Sequence, residues 1–283
     1  MSDALMGSDP HKAPRVSFGS MIESLWRNRG VIWRMAGREV HGRYKGAAMG
    51  LAWSFITPIY MLAVYTFVFS VIFKSHWGSG VNQSKTEFAV VLFVGMIVQA
   101  LFAEVINRAP TLIVGNANFV KRVVFPVEIL PVVATGSALF HGLVSTTVLL
   151  AAFLLFNGYL HWTIVLFPLV LFPLLVLTIG FAWIFASLGV FVRDIGQATV
   201  IITTVLMFLA PVFYPIRAIP ERFRVVIMIN PLTFIIEQSR SVLIFGRLPN
   251  WWGLAIYSVL ATLVAWLGYA WFQKTRKGFA DVL

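Results

Sequence analysis

Long uncharged segments separated by short charged ones dominate the pattern of the chain. Six of these segments are predicted to be apolar helices: 46–73, 88–107, 129–156, 163–192, 196–213 and 251–273. At about 1.5 Å of rise per residue, the first would be about 42 Å long, which exceeds the ~30 Å hydrocarbon core of a bilayer. The apolar runs are continuous instead of alternating, which favours spanning helices over the strands of a membrane barrel. The pattern therefore predicts an all-α polytopic membrane protein with six transmembrane helices.

The composition strengthens this prediction and excludes other classes of protein. Of the 283 residues, 59% are hydrophobic and 12% are charged, and the mean hydropathy is +0.85. A soluble protein of this size could not cover so much apolar surface with so few polar residues. A soluble globular enzyme, a disordered chain and a coiled coil are therefore excluded. The chain has no cysteine, which excludes disulfides, thiolate catalysis and cysteine-ligated metals.

The net charge of +11 is expected to face the cytosol and anionic lipid, and no nucleic-acid partner is predicted. Of the 22 Lys and Arg residues, 15 lie on one side of the predicted spans and seven on the other. The richer side comprises residues 1–45, the loop 108–126, Arg193 and the tail 274–283. Cytosolic loops carry the excess of basic residues in membrane proteins. Both termini are therefore expected in the cytosol, and 274–283 is expected to be a cytosolic tail.

Residues 20–45 combine apolar and basic side chains at short intervals. The basic set comprises Arg27, Arg29, Arg34 and Arg38, which alternate with apolar residues such as Trp26 and Trp33. An apolar face opposite a basic face is typical of an amphipathic helix in the membrane interface. The helix is either an anchor that sets the topology or a gating element beside a channel mouth. Residues 1–19, rich in Ser, Pro and Gly, are predicted to be a disordered tail.

The segment 214–250, between the fifth and sixth spans, contains four prolines and several charged residues among apolar ones. Its apolar stretches are too short and too interrupted to cross a membrane. We predict one or two re-entrant helices that dip into the membrane from the external side, which requires cover by protein or by a water-lined cavity. The alternative is an amphipathic loop on the membrane surface. The candidate polar residues of this region are Tyr214, Glu221, Glu237 and Arg240.

Catalytic and nucleotide-binding motifs are absent from the sequence. A glycine-rich loop followed by Lys and Ser or Thr, an HExxH pair and a G-x-S-x-G elbow are all missing. The five histidines are scattered, so no metal site and no cofactor bound by this chain are predicted. Glu128 and Asp194 are expected to be structural carboxylates at the cytosolic ends of spans.

Aromatic residues inside the spans are the candidates for a substrate path. An aromatic ring offers a sugar a flat apolar surface, and Tyr and Trp add a polar group. Trp53, Tyr60 and Tyr65 in the first span and Trp183 in the fourth are therefore predicted to line a path. Glycines recur every four residues at 42, 46 and 50. Such a stripe permits close helix packing within the chain or dimerisation.

Five motifs occur in a characteristic order between residues 20 and 275. REVHGRYK at 38–45 leads into the first span, KRVVFPVEILP at 121–131 leads into the third, and PVFYP at 211–215 follows the fifth. NPLT at 230–233 is followed by EQSR at 237–240. Together they resemble the permease subunits of type-2 ABC exporters for capsular polysaccharide and lipopolysaccharide O-antigen.

This resemblance implies a homodimer that pairs with two separate ATPase subunits, where ATP and Mg are bound. It also implies a location in the bacterial inner membrane, a gate helix at 20–45 and a coupling helix within the loop 108–126. The residues expected to lie in a groove of the ATPase are Asn116, Asn118, Phe119, Lys121 and Arg122.

A lipid-linked polysaccharide would then enter from the cytosolic leaflet, where the four arginines of 20–45 attract its phosphate or acidic sugars. It would pass between two copies along the first and fifth spans, and periplasmic or outer-membrane proteins are further candidate partners. An exporter of teichoic acid or of a drug is the nearest alternative. A membrane-embedded transferase for lipid-linked sugars should carry a carboxylate or histidine cluster, and a secondary transporter should show two similar halves; neither feature is visible.

Overall fold

The computed structural model describes residues 17–72, 85–120 and 125–283, and within these ranges every regular element is a helix. The N-terminal helices are α1 (Phe18–Arg27) and α2 (Arg29–Tyr44). The long apolar helices are α3 (Trp53–Tyr65), α4 (Lys85–Leu112), α6 (Leu130–Asn157), α7 (Phe167–Phe191) and α11 (Trp251–Thr275). The shorter ones are α5 (Ala117–Val120), α8 (Ile195–Phe208), α9 (Glu221–Ile229), α10 (Pro231–Leu243) and α12 (Phe279–Val282).

Five helical stretches are long and apolar enough to cross a membrane: Gly50–Phe69, Phe88–Leu112, Val127–Asn157, Trp162–Phe191 and Trp251–Gly278. They correspond to five of the six predicted spans. The sixth prediction, 196–213, falls on α8, which is apolar but has only 14 residues. At about 1.5 Å per residue α8 is about 21 Å long, so it is shorter than the ~30 Å hydrocarbon core.

The first span begins later than predicted. Gly46 and Gly50 have φ values of 87° and 50°, a left-handed conformation that glycine adopts without steric cost. They form a turn between α2 and a short 3₁₀ segment at Gly50–Ala52, so the apolar run from 46 to 49 is not helical. The span then continues through α3 into a π-helical segment at Thr66–Ile72.

Helix α4 lies at the centre of the bundle, where it contacts α3, α6, α7, α8 and α10. Its residues Val91, Leu92, Val94 and Val98 are fully buried. An apolar residue on every side of a helix is typical of a helix that other helices surround. Of the other long helices, α3, α6 and α7 contact α4, whereas α11 packs against α7. These four helices expose many apolar side chains.

Small residues allow the closest helix crossings, as is common in membrane bundles. A Cβ atom on Gly268 of α11 would overlap the carbonyl oxygen of Gly180 on α7, and one on Gly189 would overlap that of Pro110 on α4. The predicted stripe at 42, 46 and 50 behaves differently, because a Cβ atom at these glycines meets no described atom within 4 Å. The stripe therefore makes no close packing within the described chain, and its contact with a second copy stays a prediction.

The described parts of the two predicted tails are structured. The predicted tail 1–19 falls mostly on 1–16, outside the described residues, but α1 already begins at Phe18 because the Ser17 hydroxyl accepts the N–H of Ser20. At the other end, a 3₁₀ turn at Arg276–Gly278 leads into α12. Phe279 of α12 is buried against Phe191 and Phe272, so the predicted cytosolic tail is folded onto the bundle.

Candidate functional site

The predicted interfacial helix 20–45 is two helices that meet at Asn28. The Asn28 side chain and its backbone N–H both donate to the carbonyl of Ser24, which ends α1. Helix α1 is amphipathic: Met21 and Ser24 are buried, and Trp26 is exposed. Helix α2 packs against α6, where a Cβ atom on Gly136 would lie 3.3 Å from that of Ala36.

Two ion pairs on consecutive turns hold α2 against α4. Arg43 pairs with Glu104 at 2.6 Å, and Glu39 pairs with Arg108. Residues four apart on both helices face the same side, so the pairs are one turn apart. His141 of α6 lies 3.3 Å from the Glu104 carboxylate and 3.0 Å from the Arg43 guanidinium. These contacts attach the C-terminal half of α2 to the bundle.

The four predicted basic residues lie on the outer surface of α1 and α2. Arg27, Arg29, Arg34 and Arg38 are exposed, and none forms an ion pair with a carboxylate of the described chain. The Arg29 guanidinium lies 4.7 Å from the ring centre of Trp26 and donates to its carbonyl. Exposed cations attract anions, so each of these residues is suited to contact with a phosphate or an acidic sugar.

The loop that follows α4 begins at 113 instead of 108, because α4 continues to Leu112. The Asn116 side chain donates to the carbonyl of Leu112. It also lines a 190 Å³ pocket with Arg38 and Glu39 of α2. Asn118 is exposed.

For the other three residues predicted to bind the ATPase, the structure describes only the backbone of Phe119. Phe119 belongs to α5, while Lys121 and Arg122 lie outside the described residues.

Glu128 lies at the end of this loop and joins three other elements. Its carboxylate accepts the Ser24 hydroxyl of α1 at 2.9 Å and pairs with Arg276 beyond α11 at 2.9 Å. Its backbone carbonyl accepts the indole N–H of Trp183 on α7 at 2.9 Å. We call these four residues the Glu128 cluster. A structural role for Glu128 was expected from the sequence, but the partners were not, because Arg276 is 148 positions away.

The prediction that Trp183 lines a path is wrong for this residue. Its side chain is only 1% exposed and packs edge-on against Tyr269, with ring centres 5.3 Å apart. The indole N–H is already satisfied by Glu128. A buried Trp needs such a partner, so Trp183 serves the packing of α7 against α11.

Aromatic residues of the first span form an exposed row on α3 and the π-helical segment. Trp53 and Tyr60 are seven residues apart, and Phe67 follows seven residues later. All three are exposed, Tyr60 by 64%. We call these three residues the aromatic stripe. Phe67 was not predicted from the sequence as a path residue, although its seven-residue spacing from Tyr60 is visible there. Tyr65 points elsewhere, into a 270 Å³ apolar pocket with Phe93 and Met96.

Arg240 organises the segment between α8 and α11. Its guanidinium is fully buried and donates to the carbonyls of Val91, Pro211 and Val212 at 2.6–3.0 Å, and to Glu237 at 2.8 Å. Glu237 provides a carboxylate partner for this buried guanidinium.

The other two predicted residues of this segment lie at its surface. Glu221 is exposed at the start of α9, and the Tyr214 hydroxyl donates to the carbonyl of Phe208. Two short helices, α9 and α10, lie within 214–250, and that they dip into the membrane from the external side stays a prediction.

The comparisons with known proteins agree with this arrangement. The ABC-2 type transporter family model matches residues 30–244. The O-antigen export system permease protein RfbA of Myxococcus xanthus is 24% identical over 263 residues, which cover 92% of this chain and 98% of the relative. A protein of the same name from Klebsiella pneumoniae is 25% identical over 251 residues, 87% of this chain and 92% of the relative. The polysialic acid transport protein KpsM of Escherichia coli is 22% identical over 241 residues, 85% of this chain and 91% of the relative.

The family match covers well over half of the chain, from α2 to α10. It includes the motifs at 38–45, 121–131 and 211–215 on which the resemblance was based, and the residues Arg43, Glu128 and Arg240 whose contacts organise the bundle. The chain therefore belongs to the ABC-2 type transporter family.

Proposed function

We propose that the chain is the membrane-spanning subunit of an ATP-driven exporter that moves a lipid-linked polysaccharide across the bacterial inner membrane. Two copies form the conduit, and two separate ATPase subunits bind and hydrolyse ATP with Mg. The observation that carries the proposal is the exposed aromatic stripe on a chain of this family. The names of the relatives, which refer to O-antigen and polysialic acid, favour a polysaccharide over teichoic acid.

The conduit lies between the α3 helices and the α8 helices of the two copies. Exposed apolar residues on α8, among them Ile201, Val205 and Phe208, follow the i, i+4, i+7 spacing of one helix face. Rows of exposed apolar residues on α3 and α8 suit contact with a second copy or with the sugar rings of a substrate. The aromatic stripe contributes flat surfaces along which a glycan chain slides without a fixed hydrogen-bonding register.

The sixth crossing is made by α8 together with the segment that follows it. Helix α8 is too short to span alone, and the chain turns at Pro211, where Arg240 binds the backbone. Helices α9 and α10 then occupy the external half of the membrane as re-entrant helices. The burial of α10 against α4 and α7 supports this arrangement, because irregular backbone at membrane depth requires protein cover.

Both termini lie in the cytosol, together with the loop that binds the ATPase. The contacts of the Glu128 cluster support this topology, because Ser24 near the N-terminus and Arg276 near the C-terminus meet the same carboxylate. Helices α1 and α2 form the gate at the cytosolic leaflet. Their exposed arginines attract the phosphate of the lipid-linked substrate through guanidinium hydrogen bonds.

The loop 113–126 docks in a groove of the ATPase subunit. Asn118 is available for this contact because it is exposed, while Asn116 fixes the loop to α4. Phe119, Lys121 and Arg122 complete the proposed docking set. Nucleotide-driven movement of the ATPase must favour one conformation of the permease through different contacts with this loop.

The proposal is tested by replacing Trp53, Tyr60 and Phe67 together with alanine, in cells that export the polysaccharide only through this transporter. We expect the complex with the ATPase to assemble and surface polysaccharide to fall about tenfold or more, since each ring contact is worth about 0.5–1.5 kcal/mol. The control replaces Phe172 of α7 and Trp252 of α11, which are exposed aromatic residues on helices other than α3 and α8, and it should export normally.

Two results would contradict the proposal. The first is normal export by the triple variant, or an equal loss in the control variant. The second is ATP-independent transport by the purified chain in vesicles without any ATPase subunit.

A further inference from the structure

We propose that Glu128 is the positioning residue through which movement of the ATPase-binding loop reaches helix α1 and the basic residues at its end. The inference rests on the proposed function, because it concerns how ATP hydrolysis by the partner is linked to export. The Glu128 cluster would then transmit movement between the loop and α1, in addition to holding these elements together.

The first step is the connection between the loop and Glu128. The 3₁₀ turn Val127–Ile129 begins directly after Pro126, and proline restricts the backbone at this point. The Arg276 guanidinium contacts the Glu128 carboxylate at 2.9 Å and the Phe125 carbonyl at 3.4 Å. A displacement of the end of the loop therefore changes the position of the carboxylate and of its arginine partner together.

The second step is the connection between Glu128 and α1. Met21 and Ser24 are the buried residues of this helix, which also contacts α11. Ser24 donates to the Glu128 carboxylate, while Met21 belongs to a buried cluster with Ile113 and Val127, which flank the loop. Apolar contacts are non-directional, whereas a hydrogen bond to a carboxylate fixes direction and distance. The hydrogen bond thus makes α1 follow the carboxylate.

The third step is the connection between α1 and the arginines at its C-terminal end. Arg27 ends the helix, and Arg29, the first residue of α2, is joined to α1 because its guanidinium donates to the Trp26 carbonyl. Both are exposed and form part of the proposed substrate-attracting surface. A rotation or shift of α1 about the Ser24 contact moves these charges relative to α3 and the conduit. The loop and the gate are in this way joined by two polar contacts at one buried carboxylate.

The Glu128→Gln variant tests this role with little disturbance of packing. The amide has the same shape and still accepts the Ser24 hydroxyl, and the Trp183 bond to the backbone carbonyl is unaffected. Arg276 is about one-third exposed, so water replaces its lost partner. Removing Arg276 instead would leave a carboxylate that is 7% exposed without a counter-charge, which is much more destabilising. A second variant, Ser24→Ala, removes the contact with α1 alone.

The measurement is the amount of polysaccharide moved per ATP hydrolysed, in proteoliposomes that contain the permease and its ATPase. We expect both variants to co-purify with the ATPase and hydrolyse ATP at close to the wild-type rate. Transport per ATP should fall about fivefold or more, the lower end of coupling between two sites. The matched control is Glu221→Gln, which removes the charge of an exposed glutamate that pairs with Arg224 at 3.6 Å, and its ratio should be that of the wild type.

An unchanged ratio in Glu128→Gln and Ser24→Ala overturns the inference. So does a loss of assembled complex in which export and ATP hydrolysis fall in proportion, because that result indicates a purely structural contact. If Glu128→Gln fails to assemble, the ratio of Ser24→Ala decides alone. Failure of the proposed function is seen separately, as an absence of ATP-dependent transport by the wild-type complex.

Discussion

Replacing Arg240 with methionine should destabilise the bundle strongly, because methionine keeps much of the side-chain volume and removes every donor. Three backbone carbonyls, on Val91, Pro211 and Val212, would lose a donor from a charged group. Glu237 would lose its cation. The guanidinium itself is fully buried, so water does not replace its contacts with the carbonyls without opening the bundle.

The magnitude follows from these contacts. A hydrogen bond to a charged group is worth about 1.5–3 kcal/mol, and the contributions of one network are not additive. Glu237 is 37% exposed, so water can solvate its charge, and the cost comes from the carbonyls. A buried acceptor left without its donor costs about 1–3 kcal/mol, and for three carbonyls of one network we expect a total loss of about 3–5 kcal/mol. Since about 1 kcal/mol changes the melting temperature of a protein of 150–250 residues by about 2–4 °C, the midpoint should fall by roughly 10 °C.

The assay is thermal unfolding of the purified protein in detergent, followed by size-exclusion chromatography with fluorescence detection. Arg240→Lys should recover only part of the loss, because an ammonium group cannot reproduce the fork of a guanidinium. The matched control is Arg247→Met, in which an exposed arginine over the Phe245 ring is lost. Its melting temperature should change by less than about 2 °C, as for most surface substitutions. A midpoint for Arg240→Met within that same margin would refute the reasoning.

Two further predictions concern helix packing. Gly189→Ala should lower the melting temperature, because the new methyl group overlaps the Pro110 carbonyl and such overpacking costs about 1–3 kcal/mol. The control Gly42→Ala should not lower the melting temperature, because its methyl group meets no described atom within 4 Å. An equal effect of the two substitutions would contradict the described helix packing. Glu104→Gln should loosen α2 from α4. The chain has no native cysteine, so a cysteine introduced by Ala36→Cys can report the loosening of α2 through its rate of maleimide labelling. We expect this rate to rise about fivefold, because a partly exposed ion pair is worth about 1 kcal/mol. An unchanged rate would show that α2 is held by other contacts.

Local physics made a large part of the architecture predictable. The length and continuity of the apolar runs are sufficient for a helical membrane protein and for five spans, since backbone groups in lipid must bond within their own helix. The proline spacing of 214–250 predicted short helices, which are α9 and α10. The exposure of the four arginines on α1 and α2 followed from their charge, and the aromatic stripe was partly recognisable from its spacing.

The errors of the sequence-based predictions concern quantities that depend on neighbours distant in the chain. Trp183 and Tyr60 are both aromatic residues within apolar helices, and nothing in their own surroundings in the sequence separates them. One is buried between α7 and α11 and the other is exposed, because only the packing of the bundle determines which helix face meets another helix.

The sequence by itself determined the class of protein and the approximate positions of five spans, since hydrophobic length acts locally. Only the tertiary structure decided which polar groups meet. Glu128 reaches Arg276 across 148 positions, and Arg240 reaches Val91 across 149. Such pairs form because burying a charge is unfavourable unless a partner satisfies it, and which partner is within reach depends on how all the helices pack together.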